Sequence, residues 1–594
     1  MGAEARKLGG AALIAALVVG VATSGGSERA LAAKDPERPN VVVVMSDDQT
    51  QDSVRYMSRV PSLIGDKGAT FRNSVTNWPL CCPSRATFLT GQYAHNHGVL
   101  GNGAPNGGFD RLDSTETLPV WLQRAGYYTA HIGKFLNGYE QSAVGVPPGW
   151  SEWHGSKQTY VFYGYQLLED GQLVEYGSNT EDPDNPAQPE TYSTDVYTDK
   201  AVELIGRRAP KGKPFFLSVA YLAPHSGGPN PDPPNQSRCN NTAKPAARHI
   251  GTFENEPLPL PPSFNEADVS DKPAGIASRP ELTPNQVGNT IPRNYRCRAE
   301  SLLAIDEGVG RIVSALRDSG ELDDTLIVYT ADNGFFHGEH RIATGKNRVY
   351  EEAIRVPLLI RGPGIPKGKT VGDLAINADL APTILDAAGA KAGRAEDGRS
   401  LLPFAAHPER KHGRELVIEQ YSQSVDEEGN PGVDYEAVRT ARYTYVEYGT
   451  GEVELYDLET DPFQLSNQHA NPAYGEAEAR LAARLDVLRS CAGKSCRRKP
   501  ALNLRLPSSV SEGGRSCREA ADFVARVRGA DAGAVDRVTF RVGSKLDGRD
   551  SSVPLKERLK PRLLRRTSTP EIRAIAELVD GRELSLQKEI RICD

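Results

Sequence analysis

Residues 41–45 read Val-Val-Val-Val-Met, a run that is apolar at every position. A strand with one wet face alternates. An unalternated β-branched run suits a strand covered on both faces, as in a parallel sheet held between helices. Tyr127 to Ile132 and Phe215 to Ala220 read as further strands, and Leu326 to Thr330 as another buried one. Before the last of them, one helix face carries Leu302, Ile305, Val309, Ile312 and Leu316, and Ser319-Gly320 stops that helix. The alternation predicts an α/β fold with a large, mostly parallel sheet flanked by helices. In open sheets of this kind ligands bind beyond the carboxyl ends of the strands. Each run leads into polar residues: Asp47 and Asp48, Lys134, His225, and Asp332 with Asn333. Four strands thus send carboxylates, an amide, an amine and an imidazole to one edge.

With 594 residues the chain has room for two to four domains at roughly 150 residues each. Between Tyr435 and Leu465, short alternating segments such as Thr444 to Tyr448 and Val453 to Tyr456 predict a small antiparallel sheet. Phe523 to Val527, Val538 to Val542 and Leu584 to Ile592 predict a small β-sandwich. The expected organisation is a signal peptide over 1–32, the main α/β domain over 33–405, and an antiparallel subdomain over 406–490. A basic linker over 491–516 and a β-rich accessory domain over 517–594 complete it. Residues 226–292, rich in Pro, Gly and Asn, read as a functional lid or an insertion.

Lys7 precedes an apolar run, Leu8 to Ala22, that is short for a membrane span, and Ala30-Leu31-Ala32 offers small residues for cleavage. Export to a secreted, periplasmic or cell-wall location without stable membrane insertion is the expectation; an uncleaved anchor is the alternative. In such a compartment eight cysteines read as a bridge framework. Adjacent Cys81 and Cys82 cannot bridge one another with good geometry. We expect Cys239 with Cys297, Cys491 with Cys496 and Cys517 with Cys593, from among the many pairings six cysteines allow. The net charge of −7 does not favour nucleic acid as a partner. Residues 491–594 nevertheless carry 23 Lys and Arg against 14 Asp and Glu. That excess suits contact with an anionic glycan or cell surface, and equally a spacer or attachment module.

The densest motif is Cys81-Cys82-Pro83-Ser84-Arg85-Ala86-Thr87-Phe88-Leu89-Thr90-Gly91. Pro83 suits a first helical turn, which puts Cys81 at a helix N-terminus, where free N–H groups favour an anion, with Arg85 one turn on along the same face. A cysteine alone would read as a buried or bridged thiol. Cys-x-Pro-Ser-Arg followed by Leu-Thr-Gly resembles the signature of the formylglycine-dependent sulfatases of the alkaline-phosphatase-like superfamily. The double-cysteine form, continuing through Gln92-Tyr93-Ala94-His95-Asn96-His97, is most similar to glucosamine 6-O-sulfatases and extracellular heparan endosulfatases. The resemblance covers Arg38 to Leu465.

The resemblance implies that a formylglycine-generating enzyme converts Cys81 to an aldehyde. Its hydrate carries two hydroxyls: one attacks sulfur and displaces the alcohol, the other then expels sulfate. Asp47, Asp48, Asp332 and Asn333 match the family's metal ligands, which bind Ca²⁺ together with the modified Cys81. Such oxygen donors suit Ca²⁺, with Mg²⁺ second. Taken singly, an Asp-Asp or Asp-Asn-Gly is more often a turn or cap. Arg85, Lys134, Lys346 and His225 match catalytic positions: the lysines neutralise sulfate oxygens, and His225 protonates the departing alkoxide. Many arylsulfatases place a histidine two residues beyond this lysine; here Leu136 stands there, followed by Asn137, a candidate substrate-binding residue with Lys134, His225 and Lys346. His95, His97, His337 and His340 are weaker candidates for the substrate rim, with surface or capping roles open. The expected activity is hydrolysis of sulfate monoesters of sugars or aryl compounds, the partner being a sulfated small molecule or glycan. A phosphate or phosphonate monoester hydrolase of the same superfamily and an inactive glycan-binding relative are the rivals.

Overall fold

The computed structural model describes residues 38–594 except 178–188, 210–211, 228–238, 240, 411, 422–433, 498–501, 513–514, 521–522, 530–534, 552–554, 566–568, 579–582 and 594. The expected signal peptide and its cleavage site lie outside the described residues.

A ten-stranded sheet forms the centre of the main domain. Its strands are β1 (Asn40–Ser46), β2 (Ala69–Val75), β3 (Tyr128–Gly133), β4 (Glu152–Ser156), β5 (Tyr165–Glu169), β6 (Gln172–Tyr176), β7 (Phe215–Ala220), β8 (Thr325–Ala331), β9 (Leu358–Arg361) and β10 (Lys369–Ile376). They lie in the order β10-β2-β9-β8-β1-β7-β3-β4-β5-β6. The stretch β8-β1-β7-β3-β4 is parallel throughout, whereas β9 runs antiparallel to both β8 and β2. The apolar run at 41–45 is buried on both sides: Val41, Val43 and Met45 face one core, Val42 and Val44 the other. At about 1.5–3 kcal/mol for each fully buried aliphatic side chain, this central strand cannot tolerate exposure on either face.

Helices fill both layers. On one face lie α1 (Cys81–Thr90), α2 (Leu118–Arg124) and α5 (Leu380–Ala388), through Ala86, Trp121 and Ile384 among others. On the other lie α3 (Ser193–Arg208) and α4 (Ile291–Asp318). The α4 stripe Leu302, Ile305, Val309, Ile312 and Leu316 is wholly buried in that second core.

Four antiparallel strands, β11 (Leu416–Gln420), β12 (Tyr435–Arg439), β13 (Tyr443–Tyr448) and β14 (Val453–Asp457), form the expected small sheet. With α6 (Gly475–Leu488) they share a third core that includes Val75 and Ile376 at the ends of β2 and β10, and Val349 and Ile354. Beyond it, a separate apolar core holds Leu504, Val527, Phe540, Ile572 and Ala574 between a three-stranded and a four-stranded antiparallel sheet.

One boundary shifts. Within 491–516, read as linker, Leu502–Arg505 is a strand paired with Val524–Gly529, and Val510–Glu512 pairs with Arg515–Cys517. Leu504 is buried between exposed Asn503 and Arg505, a half-buried alternation too short to stand out amid basic residues. Cys491 and Cys496 belong instead to the core beneath the small sheet. The bridges are Cys239–Cys297, Cys491–Cys496 and Cys517–Cys593, as expected. Cys81 and Cys82 are free and buried. No helix among the described residues is long and apolar enough to cross a membrane.

Candidate active site

The carboxyl ends of β1, β3, β7 and β8 converge as the sequence predicts, and backbone bonds extend the sheet into the loops that carry the polar residues. Asp47 N–H donates to Ala223 O (3.2 Å), Lys134 N–H to Ala220 O (2.9 Å) and Asp332 N–H to Ser46 O (3.3 Å). On a continuing strand, Asp47 and Asp48 would point to opposite faces. Asp48 instead adopts φ 63°, in the left-handed region that Asp tolerates better than most residues. Its N–H donates to Asp332 Oδ1 (3.0 Å) and its carbonyl accepts from Arg298 (2.5 Å), which holds the turn. Both carboxylates thereby reach the same point. Such a conformation costs of order 1–3 kcal/mol and persists only where its surroundings fix it.

Cys81 opens α1, and every residue of that ten-residue helix is buried. Its Sγ lies 3.5 Å from Asp47 Oδ1 and 3.1 Å from Lys346 Nζ. Ligand atoms of Asp47, Asp48, Cys81 and His225 all lie within 4.8 Å of one another. Lys346 pairs with Asp48 and Lys134 with Asp47. Arg85 bridges Asp332 (2.8 Å) and Asp47 (3.3 Å), and donates to the carbonyl of Lys134 (2.8 Å). Asn333 Nδ2 donates to Asp48 Oδ1 (2.7 Å). His225 Nε2 stands 3.5 Å from Asp48 Oδ2, while its Nδ1 meets Ser226 O at 2.8 Å, fixing the ring. Asp47, Asp48, Cys81, Arg85, Lys134, His225, Asp332, Asn333 and Lys346 therefore form one buried cluster. Asn137 borders it through Tyr160, whose ring lies 5.1 Å from Lys134 Nζ.

The electrostatics are those of a crowded charge site. Burial alone would raise Asp47, but Lys134, His225, Arg85 and Lys346 hold its carboxyl well below the usual range. Asp48 is also lowered, against burial, chiefly by Lys346 and His225. Burial and the neighbouring Asp47 push Asp332 up even with Arg85 upon it. Burial and Asp47 push the Cys81 thiol far above its ordinary range, so it is a protonated thiol and a poor nucleophile. Asn333 Oδ1 and Asp48 Oδ2 are buried without a hydrogen-bond donor. Unsatisfied hard oxygens beside a carboxylate forced upward are what a divalent cation would relieve, so the residues fit the metal-binding expectation.

Two neighbours escaped the sequence reading. Arg298 is buried in α4 with its guanidinium 3.7 Å from the Phe335 ring. A cation four residues before Leu302, in line with the apolar stripe, was the available signal. Tyr160 lies in the loop between β4 and β5, and no local pattern marks it. Of the weaker histidines, three are structural. His95 pairs with Glu419 (2.7 Å), His97 meets the Thr87 hydroxyl (3.0 Å), and His340 pairs with Glu266 (2.7 Å). His337 lines a cleft of about 390 Å³ beside Thr50, Tyr295, Phe335 and Glu339.

The Sulfatase family matches residues 39–390, and the N-sulphoglucosamine sulphohydrolase C-terminal family matches residues 338–491. An arylsulfatase of Volvox carteri is 34% identical over 510 residues, covering 78% of this chain and 76% of its own. The N-acetylglucosamine-6-sulfatase of Capra hircus is 32% identical over 506 residues, covering 78% and 86%. A structure solved in complex with its substrate D-glucosamine-2-N,6-O-disulfate has a TM-score of 0.62 at 25% identity, over 77% of this chain and 98% of that one. The phosphonate monoester hydrolase of Agrobacterium radiobacter shares the fold, with a TM-score of 0.58 at 22% identity over 76% and 96%. The chain belongs to the sulfatase family and is a sulfuric ester hydrolase.

Proposed function

We propose that the protein is an exported, formylglycine-dependent, Ca²⁺-requiring sulfatase that removes sulfate from sulfated sugars of the glucosamine type. The observation that carries this reading is Cys81 at the start of a buried helix, with Asp47, Asp48 and His225 ligand atoms within 4.8 Å and Lys346 at 3.1 Å. Asp47, Asp48, Asp332 and Asn333 would hold the cation, which supplies charge balance and polarisation at the sulfuryl oxygens. An aldehyde hydrate at position 81 supplies the paired hydroxyls that an ordinary serine lacks.

The chain's own residues do the rest. Lys134 and Lys346 would offer two ammonium groups to the oxygens of a sulfate ester, and both are buried, where such charges act more strongly than in water. Arg85 holds Asp332 and Asp47 in register. His225, fixed through Nδ1 on Ser226, turns Nε2 toward the site, where it holds the proton given to the departing alkoxide. The three disulfide bridges and the apolar leader at 8–22 support an oxidising, exported destination.

Activity of the matured protein on N-acetylglucosamine 6-sulfate and on the matched 6-phosphate tests the reading. Preferential release of sulfate is expected. Equal or faster phosphate release would favour the phosphonate-hydrolase chemistry of its structural neighbour, and binding of the sulfated sugar without turnover would favour a glycan-binding role.

A further inference from the structure

Every proposed catalytic and metal-binding side chain is at least nine-tenths buried: Cys81, Asp47, Asp48 and Asn333 are fully enclosed, and His225, the most accessible of the set, is 7% exposed. Tyr160, in contact with this set, is 36% exposed. Its ring lies 4.8 Å from the His225 ring and 5.1 Å from Lys134 Nζ, and its hydroxyl accepts from Asn137 Nδ2. One side chain therefore touches the proposed proton donor, a sulfate-binding cation and a candidate substrate-binding amide, while presenting about a third of itself to solvent. Asn137 is itself 7% exposed, and the end of its amide not used on Tyr160 is buried without a partner. A buried amide oxygen left open beside an aromatic ring at the edge of a charged site awaits a donor from a ligand.

We propose that Tyr160 is the specificity-determining wall of the site: its exposed ring receives the C–H face of the sugar carrying the sulfate, while Asn137, held by the Tyr160 hydroxyl, bonds a polar substituent of that sugar. This rests on the sulfated-sugar reading above. An aromatic ring suits the role because a pyranose presents an apolar C–H face and a polar rim, and a ring beside an amide matches both. The sulfate itself is held elsewhere, by Lys134 and Lys346. Recognition of the sugar and of the anion thus falls on different side chains and can be separated by substitution.

The test is steady-state kinetics on N-acetylglucosamine 6-sulfate together with competitive inhibition by inorganic sulfate, for Tyr160→Ala and Tyr160→Phe. Tyr160→Ala is expected to raise KM about tenfold or more while the inhibition constant for sulfate stays within about twofold. Tyr160→Phe, which keeps the ring but not the hydroxyl, should recover most of that loss. The proposal fails if Tyr160→Ala raises KM and the sulfate constant by the same factor, since Tyr160 would then only prop up Lys134 and His225. It fails equally if neither constant moves. A wild-type protein that desulfates no sulfated sugar would instead overturn the functional reading on which the proposal stands.

Discussion

Because burial and Asp47 keep the Cys81 thiol protonated, the proposed mechanism places reactivity in the aldehyde made from it, and single substitutions separate that role from its neighbours. Cys81→Ala should reduce desulfation to background while leaving the melting temperature within a few degrees, checked by kinetics and calorimetry on one preparation. Cys82 touches little of the site, its Sγ lying 3.9 Å from the Asn137 carbonyl. Cys82→Ala should leave kcat/KM within about threefold and cost roughly 1 kcal/mol of stability, the usual scale for a small buried truncation. Arg298 acts one step back, by holding the Asp48 carbonyl. Arg298→Met should weaken Ca²⁺ affinity by about tenfold or more, the loss typical of residues that orient metal ligands, and calcium titration followed by fluorescence would measure it. Unchanged affinity would remove Arg298 from that role.

At the scale of elements, the segment after α1 is tied to the small sheet through His95, which bonds Glu419 of β11 and the Cys491 carbonyl. Burial would lower the His95 pKa, but the Glu419 hydrogen bond and charge raise it to about 9. A raised folded-state pKa means that the pair contributes fully below the unfolded value near 6.5, and that the contribution disappears as pH rises through about 9. The upper bound is roughly 3 kcal/mol. His340, raised to about 9 against burial by Glu352 and Glu266, acts in the same window. The melting temperature should therefore fall from pH 6.5 to pH 9, and His95→Gln should flatten that slope; an equal slope in the variant would contradict the linkage. The elements themselves were unevenly legible. The 41–45, 215–220 and 326–330 runs and the α4 stripe announce themselves because burial on one or both faces fixes every side chain. The antiparallel direction of β9 does not, since Leu358-Leu359-Ile360 is equally apolar in either direction. The β5–β6 hairpin carries an Asp170-Gly171 turn with φ 46° and 94°, a readable signal. Tyr160 is unreadable from its neighbours because only the fold brings its loop to Lys134.

For the whole molecule, five of the nine excess positive charges beyond 490 lie in residues 502–594, a unit with its own core, stapled by Cys517–Cys593. A chain ending at Arg497 retains the Cys491–Cys496 loop that caps the small sheet and should desulfate N-acetylglucosamine 6-sulfate within about twofold of the full chain. A larger loss would tie the accessory unit to catalysis. What the sequence conveyed at this scale was the convergence of four strand ends on one edge; where the linker ended lay beyond it, because the short strand at 502–505 is defined only by its partner at 524–529. The most direct check is tandem mass spectrometry of residue 81 in protein matured in its own host and shown to be active. An aldehyde at 81 beside an unmodified Cys82 thiol is the expected result; a fully active preparation carrying only an intact thiol at 81 would contradict the proposed chemistry.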